Sequence, residues 1–347
     1  MKCLVSFSNF KGTLSNSEAC EVACDTLRKM GLSALSLPLG DGGKGTFSFL
    51  ENDPRVHKKS YQILGAFSDP REGRTLWRRS QSGVWQVFLE STDAIGYPPS
   101  NPERRDPLGA TSRGLGQWLL LIQEDLGGEA CELFLGLGDS AISDAGRGML
   151  EILENKRFPE WKMTVLCDVD NPLCGERGSA RVFAPQKGAT AQQVEMIETR
   201  NTEFANEMEQ RFGIQVAQMP RTGSAGGLGA ALHVFLGGQL VSGAEFVLSA
   251  SGFDEVLKEQ DLLIVGEGKS DFQTLSGKSP WAAIQRAEKL GKQSILISGA
   301  LGAGFEKIAA PGLVSKIACG KDPEPKTALK NAVERAITDF LSGLHSS

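Results

Sequence analysis

The first forty residues supply two strands and one helix of a parallel sheet, and a sheet that small cannot stand alone. Residues 3–7, Cys-Leu-Val-Ser-Phe, read as a short strand. "SNSE" at 15–18 follows as a capping box, in which Ser15 caps a helix and Glu18 reaches back. Ala19, Val22, Ala23, Leu27 and Met30 keep helical spacing until Gly31 ends it. A second strand near Leu35–Leu39 delivers the chain to "GDGGKGT" at 40–46. Strand, helix and strand in this order make a right-handed crossover unit. Two strands are marginal by themselves. Partners must come from elsewhere in the chain.

They are at the other end. "DLLIVG" from Asp261 reads as a buried strand, Pro280–Leu290 as a helix stopped by Gly291, and "SILIS" and "SKIAC" as two more strands. The last helix spans Thr327 to Leu344, with Leu329, Ala332, Val333, Ala336, Ile337, Phe340 and Leu341 on one face. The middle is written differently. "REGRTLWRRSQSGVWQVFLE" has the pattern of an antiparallel hairpin, and long glycine-rich turns follow it. The expected fold class is α/β: a discontinuous Rossmann/flavodoxin-like parallel-sheet domain over 1–61 and 256–347, with a second α/β domain, 62–255, inserted into it.

Composition excludes several classes of function. A net charge of −5 with no block of lysine and arginine leaves no footprint for nucleic acid. No apolar run approaches the ~20 residues that span a bilayer. "MKCLVSF" enters a strand directly, without the hydrophobic region of a signal peptide. Seven scattered cysteines in apolar contexts read as reduced core thiols, and a cytoplasmic protein is expected. The 41 glycines cluster, and chemistry is sought at the clusters.

Five glycine-bearing segments stand out. "SNFKGTLS" (8–15) joins the first strand to its helix and holds Lys11, either a mobile cation at a ligand site or a solvated lysine in a turn. "GDGGKGT" offers Asp41 for a metal or a substrate hydroxyl, although turns use Asp-Gly constantly. "GLGDSAISDAGRGML" (136–150) brings Ser140 and Asp144 before a helix, as an anion-binding turn or as a plain cap. "CDVDNPLCGERGSARVFAPQKGAT" (167–190) sets Asp168, Asp170 and Asn171 after a strand and adds Lys187. Carboxylates that close together need a cation, a proton or a donor; magnesium with a phosphate-laden partner would serve, and so would a structural turn. "RTGSAGGLGAALHVFLGG" (221–238) either cradles phosphate or lets helices pack closely, and it lacks the Gly-Lys-Ser/Thr ending of a P-loop.

The fragment "DLLIVGEGKSDFQTLSGKSP" (261–280) opens as a strand and is expected to break into a charged loop carrying Glu267, Lys269 and Asp271. His57, His233 and His345 are the only histidines, so acid–base work falls to carboxylates and lysines. Glycine turns, lysines and acids suit phosphoryl transfer, which needs positioning and charge neutralisation more than covalent chemistry. A dehydrogenase is disfavoured, because neither N-terminal turn has the G-x-G-x-x-G arrangement.

Together, "FKGTLS", "DGG.GT", "GDSA..D.G.GM", "CDVDNPL.G..G...VF.PQKGA", "GSAGGLGAAL" and "GEG..D.QTL.GK.P" resemble the bacterial glycerate kinase family, in order and through essentially the whole chain. The resemblance implies an open α/β domain with a second one inserted, and phosphorylation of D-glycerate by ATP and magnesium, with 2-phosphoglycerate as product in this branch. On it, Asp271 is the first choice for general base and Asp168 the next, with Lys11, Lys187 and Lys278 as cations for phosphate or carboxylate. Ser140, Gly223, Ser224, Gly226, Gly227, Glu267 and Gly268 would meet the nucleotide, and Asp41, Asp168 and Asp170 are the magnesium candidates. The expected partners are a small hydroxy acid and ATP, in a cleft between domains, with no nucleic acid and no membrane. The motifs leave the subunit count, a homodimer included, undecided.

Polar positions depart from the family pattern. Ser8 and Asn9 stand where an aspartate usually precedes "FKG", Lys44 replaces a glutamate, and Ser143 replaces an asparagine. Asp106, Arg113, Leu115 and Lys269 are further exchanges. Losing one acid and reversing another moves this part of the site three charge units toward positive. Charges 4 Å apart interact by about 4 kcal/mol at an effective dielectric near 20, enough to redirect substrate choice. An active kinase, of glycerate or of a more anionic hydroxy acid, is the reading adopted. The alternative is a catalytically silent binder of sugar acids or nucleotides.

Overall fold

A computed structural model describes residues 1–10, 12–154, 156–271, 274–320 and 322–344. The first part of the chain forms β1 (Lys2–Phe7), α1 (Asn16–Lys29), β2 (Ser33–Ser36), β3 (His57–Leu64), β4 (Pro70–Arg79), β5 (Trp85–Glu90), α2 (Thr92–Ile95) and α3 (Arg113–Leu126). Then come β6 (Cys131–Gly136), α4 (Arg147–Leu153), β7 (Trp161–Cys167), α5 (Ser179–Phe183), α6 (Ala191–Phe212), α7 (Leu228–Leu236) and β8 (Gln239–Ser242). The rest is α8 (Gly243–Ala250), α9 (Phe253–Lys258), β9 (Leu262–Ser270), α10 (Ser279–Lys289), β10 (Gln293–Leu301), β11 (Leu313–Ala318) and α11 (Pro325–Leu344). No helix among the described residues is long and apolar enough to cross a membrane.

The chain divides into two compact units, Met1–Asp41 with Ala244–Ser347, and Gly42–Gly243. Both junctions come earlier than the 61/62 and 255/256 expected from composition. The polar strand β3 pairs in antiparallel register with β4, which assigns it to the inserted unit. At the return, Ala244, Leu248, Phe253 and Leu257 pack with β9 residues in one core, which assigns α8 and α9 to the outer unit.

In the outer unit a five-stranded sheet runs β2-β1-β9-β10-β11, with every pairing parallel. By order of appearance this is 2-1-3-4-5, the flavodoxin-like arrangement, and its direction of growth reverses between β1 and β9. Burial on both faces explains the apolar runs. Cys3, Val5, Phe7, Leu262, Ile264, Ile295 and Ile297 face α1 and α11. Leu4, Leu263, Val265 and Leu296 share the opposite core with residues of α9 and α10. The period of two along each strand sorts these side chains between faces. β2 ends before Pro38, yet Leu37 and Leu39 still donate to Val5 O and Phe7 O. The capping box at Ser15 and Glu18 is formed in both directions.

The inserted unit has a six-stranded sheet, β3-β4-β5-β6-β7-β8. Its first two pairings are antiparallel, including the expected hairpin, where Arg79 opposes Trp85, and the rest are parallel. Trp77 from β4 and Leu115, Trp118, Leu119 and Ile122 from α3 fill its core. Gly73 lets α3 approach, since a Cβ there would lie 2.7 Å from the Trp118 ring.

Candidate functional site

Each unit gathers polar residues at the carboxyl ends of its parallel strands. In the outer unit that edge is formed by Ser8 and Asn9 after β1, Asp41 after β2, and the end of β9. The stretch expected as a loop, "GEGKS", is instead strand, with Glu267 opposite Ser298 and Lys269 opposite Ala300. The glycines make this extension feasible: a Cβ on Gly266 would collide with Ile297 O, and one on Gly299 would lie 2.5 Å from Gly268 O.

Glu267 is 4% exposed. Its Oε1 accepts from Thr274 Oγ1 at 2.6 Å and from Ser270 Oγ at 2.9 Å, and Lys278 Nζ lies 3.7 Å from its Oε2. Burial pushes its carboxyl up, Lys278 and the two hydroxyls pull it back, and the charge of Asp41 adds to the rise. Ser270 Oγ also meets Ser298 Oγ at 2.7 Å. Asp271, also buried, has Oδ2 3.4 Å from Lys269 Nζ, and its backbone N–H donates to Thr274 Oγ1 at 3.1 Å. Thr274 thus ties Glu267 to the backbone that carries Asp271. The switch point between β1 and β9 is closed by Ser8 N donating to Gly266 O and Gly268 N to Asn9 O. Asn9 Oδ1 accepts from Asn16 N at the start of α1. Lys11 lies outside the described residues.

The inserted unit presents the turns after β5, β6 and β7. Lys187 is 5% exposed and donates to Ser140 Oγ at 3.0 Å and Ile142 O at 2.5 Å. Burial pushes its ammonium down to about 8, and the charges of Asp168 and Asp144 offset part of that fall. Asp144 is structural: it accepts from Ser112 N and Ser112 Oγ, both at 2.8 Å, and from Gly146 N at 3.0 Å. Asp170 is paired with Arg221 at 2.8 Å. Among the described residues no group of three His, Cys, Asp or Glu is arranged to hold a metal ion. All seven cysteines are free thiols. Asp139 and Ala145 hold positive φ in the turn after β6, and Arg221 and Ala225 in the loop before α7, local strain of the kind that aims side chains.

In the glycine loop at Gly223–Gly229 part of the backbone is engaged within the chain. Residues 222–232 are buried, and the backbone N–H groups of Gly223, Ser224, Gly227 and Gly229 donate to Asn171, Arg221, Gly223 and Ser224 carbonyls. The glycines serve packing: Gly226 has φ +67°, and a Cβ there would collide with Ile142 O. Gly226→Ala is therefore expected to cost about 3 kcal/mol in urea unfolding, from left-handed strain plus overlap. Gly213→Ala, with φ +69° but open space, is expected to cost only about 1 kcal/mol. Equal costs would contradict the packing role.

Motif reading passed over Ser270, Thr274, Ser298 and Glu90. The first three are hydroxyls whose value is visible only once the strand ends are aligned. Glu90 is the last residue of an apolar strand, where its carboxylate reads as the solvent end of "WQVFLE".

A family model described as the Glycerate kinase family matches residues 3–156 and 153–343. The chain is 35% identical to a glycerate kinase of Halalkalibacterium halodurans, over 80% of this chain and 79% of that one. It is 31% identical to the glycerate 2-kinase of Escherichia coli K12, over 87% and 86% of the two chains. A crystal structure described as glycerate kinase 2 from Salmonella typhimurium LT2 superposes with a TM-score of 0.75 at 28% identity, covering 100% of both chains. With a family match running from residue 3 to residue 343 and relatives this similar along most of their length, the chain belongs to the glycerate kinase family, phosphotransferases with an alcohol group as acceptor.

Proposed function

We propose that the protein transfers the γ-phosphoryl group of ATP to a hydroxyl of D-glycerate, giving 2-phosphoglycerate and ADP. The observation that carries this reading is the agreement of relatives named glycerate kinase or glycerate 2-kinase over most of the chain. In the reaction the acceptor oxygen forms a bond to phosphorus, the bond from phosphorus to the ADP oxygen breaks, and the hydroxyl proton passes to a carboxylate. Asp271 is the base, at the end of β9 beside the switch point where ligands of such sheets bind. Lys187 and Lys278 offset phosphate and carboxylate charge. Glu267 holds Thr274 and Ser270 in place behind them.

The donor is ATP with magnesium. Magnesium keeps several waters and takes one or two carboxylates besides phosphate oxygens; Asp41 and Asp168 are the candidates that would hold it. Bound there, it would neutralise phosphate charge. Asp170, paired with Arg221, is the weaker candidate.

The exposed Lys44 supports a second acceptor class, hydroxy acids with an additional carboxylate. A coupled assay of ADP release over three- to six-carbon hydroxy acids tests both. Glycerate is expected to give the highest kcat/KM. A dicarboxylic acid ranking above it would move the assignment to the second class. Binding of ATP and acid without ADP release across the panel would leave only a silent binder.

A further inference from the structure

The turn Gly42–Phe47 is fastened to the ends of three neighbouring strands. Gly138 N, just beyond β6, donates to Gly42 O at 2.8 Å. A Cβ on Gly42 would lie 2.5 Å from Leu166 O in β7, so the turn sits directly against that strand. Lys44 N donates to Asp139 Oδ2 at 3.2 Å. The third strand is reached through Glu90, the final residue of β5, paired with Gly136 of β6. Its two oxygens are divided: Oε2 accepts from Gly45 N at 2.9 Å and Oε1 from Phe47 N at 3.1 Å. Internally, Gly42 N donates to Thr46 Oγ1, and Phe47 stacks edge-on to Phe88 at 5.3 Å.

We propose that Glu90 is a positioning residue for the ligand site of the inserted unit: its ionised carboxylate fixes the turn that carries Lys44 beside Asp139 and Ser140. A carboxylate accepts strongly at both oxygens; a protonated carboxyl keeps one carbonyl oxygen and presents a hydroxyl oxygen that accepts more weakly, so one of the two bonds to the turn is weakened. The turn therefore has a tight form with Glu90 charged and a loosened form with it neutral. Around it stand Asp93 on α2, Arg74 on β4 and Lys44 in the turn itself; Asp93 disfavours the charged form and Arg74 favours it. Burial dominates and pushes the carboxyl to about 7, inside the working range of most enzymes.

The consequence for stability has the opposite sign to that for binding. A carboxyl raised in the folded state binds protons that the unfolded chain has released, so its contribution to stability is present at low pH and is lost as pH rises through about 7. Charging Glu90 thus loosens the protein thermodynamically while tightening the turn.

This inference rests on the kinase reading, and the test separates the two. Glu90→Gln and Glu90→Asp are assayed with glycerate and ATP from pH 5.5 to 8.5, alongside thermal unfolding. The wild type is expected to show an acid limb in kcat/KM near pH 7. Glu90→Gln is expected to lack that limb, with KM for the acid raised roughly fivefold to tenfold at pH 8, kcat within twofold, and stability at pH 8 equal or higher. Glu90→Asp keeps charge with a shorter reach, and is expected to restore an acid limb while KM stays raised. An unchanged limb in Glu90→Gln, or a kcat loss that tracks a fall in stability, overturns the inference. A wild type without glycerate-dependent ADP release overturns the kinase reading instead, and amide exchange at Gly45 and Phe47 then decides the turn: equal protection in wild type and Glu90→Gln at pH 8 overturns the positioning role.

Discussion

Asp271→Asn is expected to lower kcat roughly 1,000-fold while leaving the fold intact. A positioned general base contributes typically 10²–10⁴-fold, and asparagine keeps the size of the side chain while removing its capacity to take a proton. Asp271 is buried at the end of β9, with its Oδ2 3.4 Å from Lys269 Nζ. Glu267 is committed to Thr274, Ser270 and Lys278. Asp144 is committed to Ser112 and the turn before α4. The Asp271 backbone is held by Thr274, and Gly302 makes room for its side chain: a Cβ there would lie 2.7 Å from Asp271 Cβ. Thermal unfolding and circular dichroism should match the wild type within a few degrees. A kcat within tenfold of the wild type assigns the base to another acid, with Asp168 next in line.

The outer sheet was legible because its strands are buried on both faces and its helices carry explicit end signals, such as Ser15 with Glu18 and Gly31. The junctions were less so. Residues 42–61 are polar and turn-rich, and nothing local says that His57–Leu64 will pair with Pro70–Arg79 until the hairpin partner is in place. The glycine motifs were visible but their meaning was not. A glycine that admits a ligand and one that admits a neighbouring carbonyl have the same spacing; at Gly223 and Gly226 the carbonyls of Pro172 and Ile142 decide it. Likewise "GEGKS" has the composition of a loop, and only the register with β10 makes it strand. Lys187 could be picked out of "PQKG" only as the cation of its acid-rich segment. Its burial, and so its chemistry, came from Ser140 and Ile142 more than forty positions away.

That burial makes Lys187 the second large effect. Its ammonium is expected to meet phosphate oxygens as part of a dry, preorganised edge, and losing one such donor costs typically 10²–10³-fold. Lys187→Met should lower kcat/KM by that amount. The wild-type profile should also carry an alkaline limb near pH 8, where the free ammonium loses its proton. In the kcat profile the limb moves upward, because a bound anion favours the charged form. Lys187→Arg, charged at every accessible pH, should lose the limb and keep a reduced plateau. Stability separates this from simple damage. The folded ammonium titrates below the unfolded one, so the unfolded chain binds more protons between pH 8 and 10.5, and stability rises with pH across that window. At neutral pH the buried charge costs about 3 kcal/mol. Methionine removes that cost and leaves Ile142 O without this donor, a loss of about 1–3 kcal/mol. Lys187→Met is therefore expected to be as stable as the wild type or up to about 2 kcal/mol more stable in urea unfolding at pH 7, inactive but folded. An alkaline limb that survives in Lys187→Met, or a kcat/KM within fivefold of the wild type, would remove Lys187 from the phosphate edge.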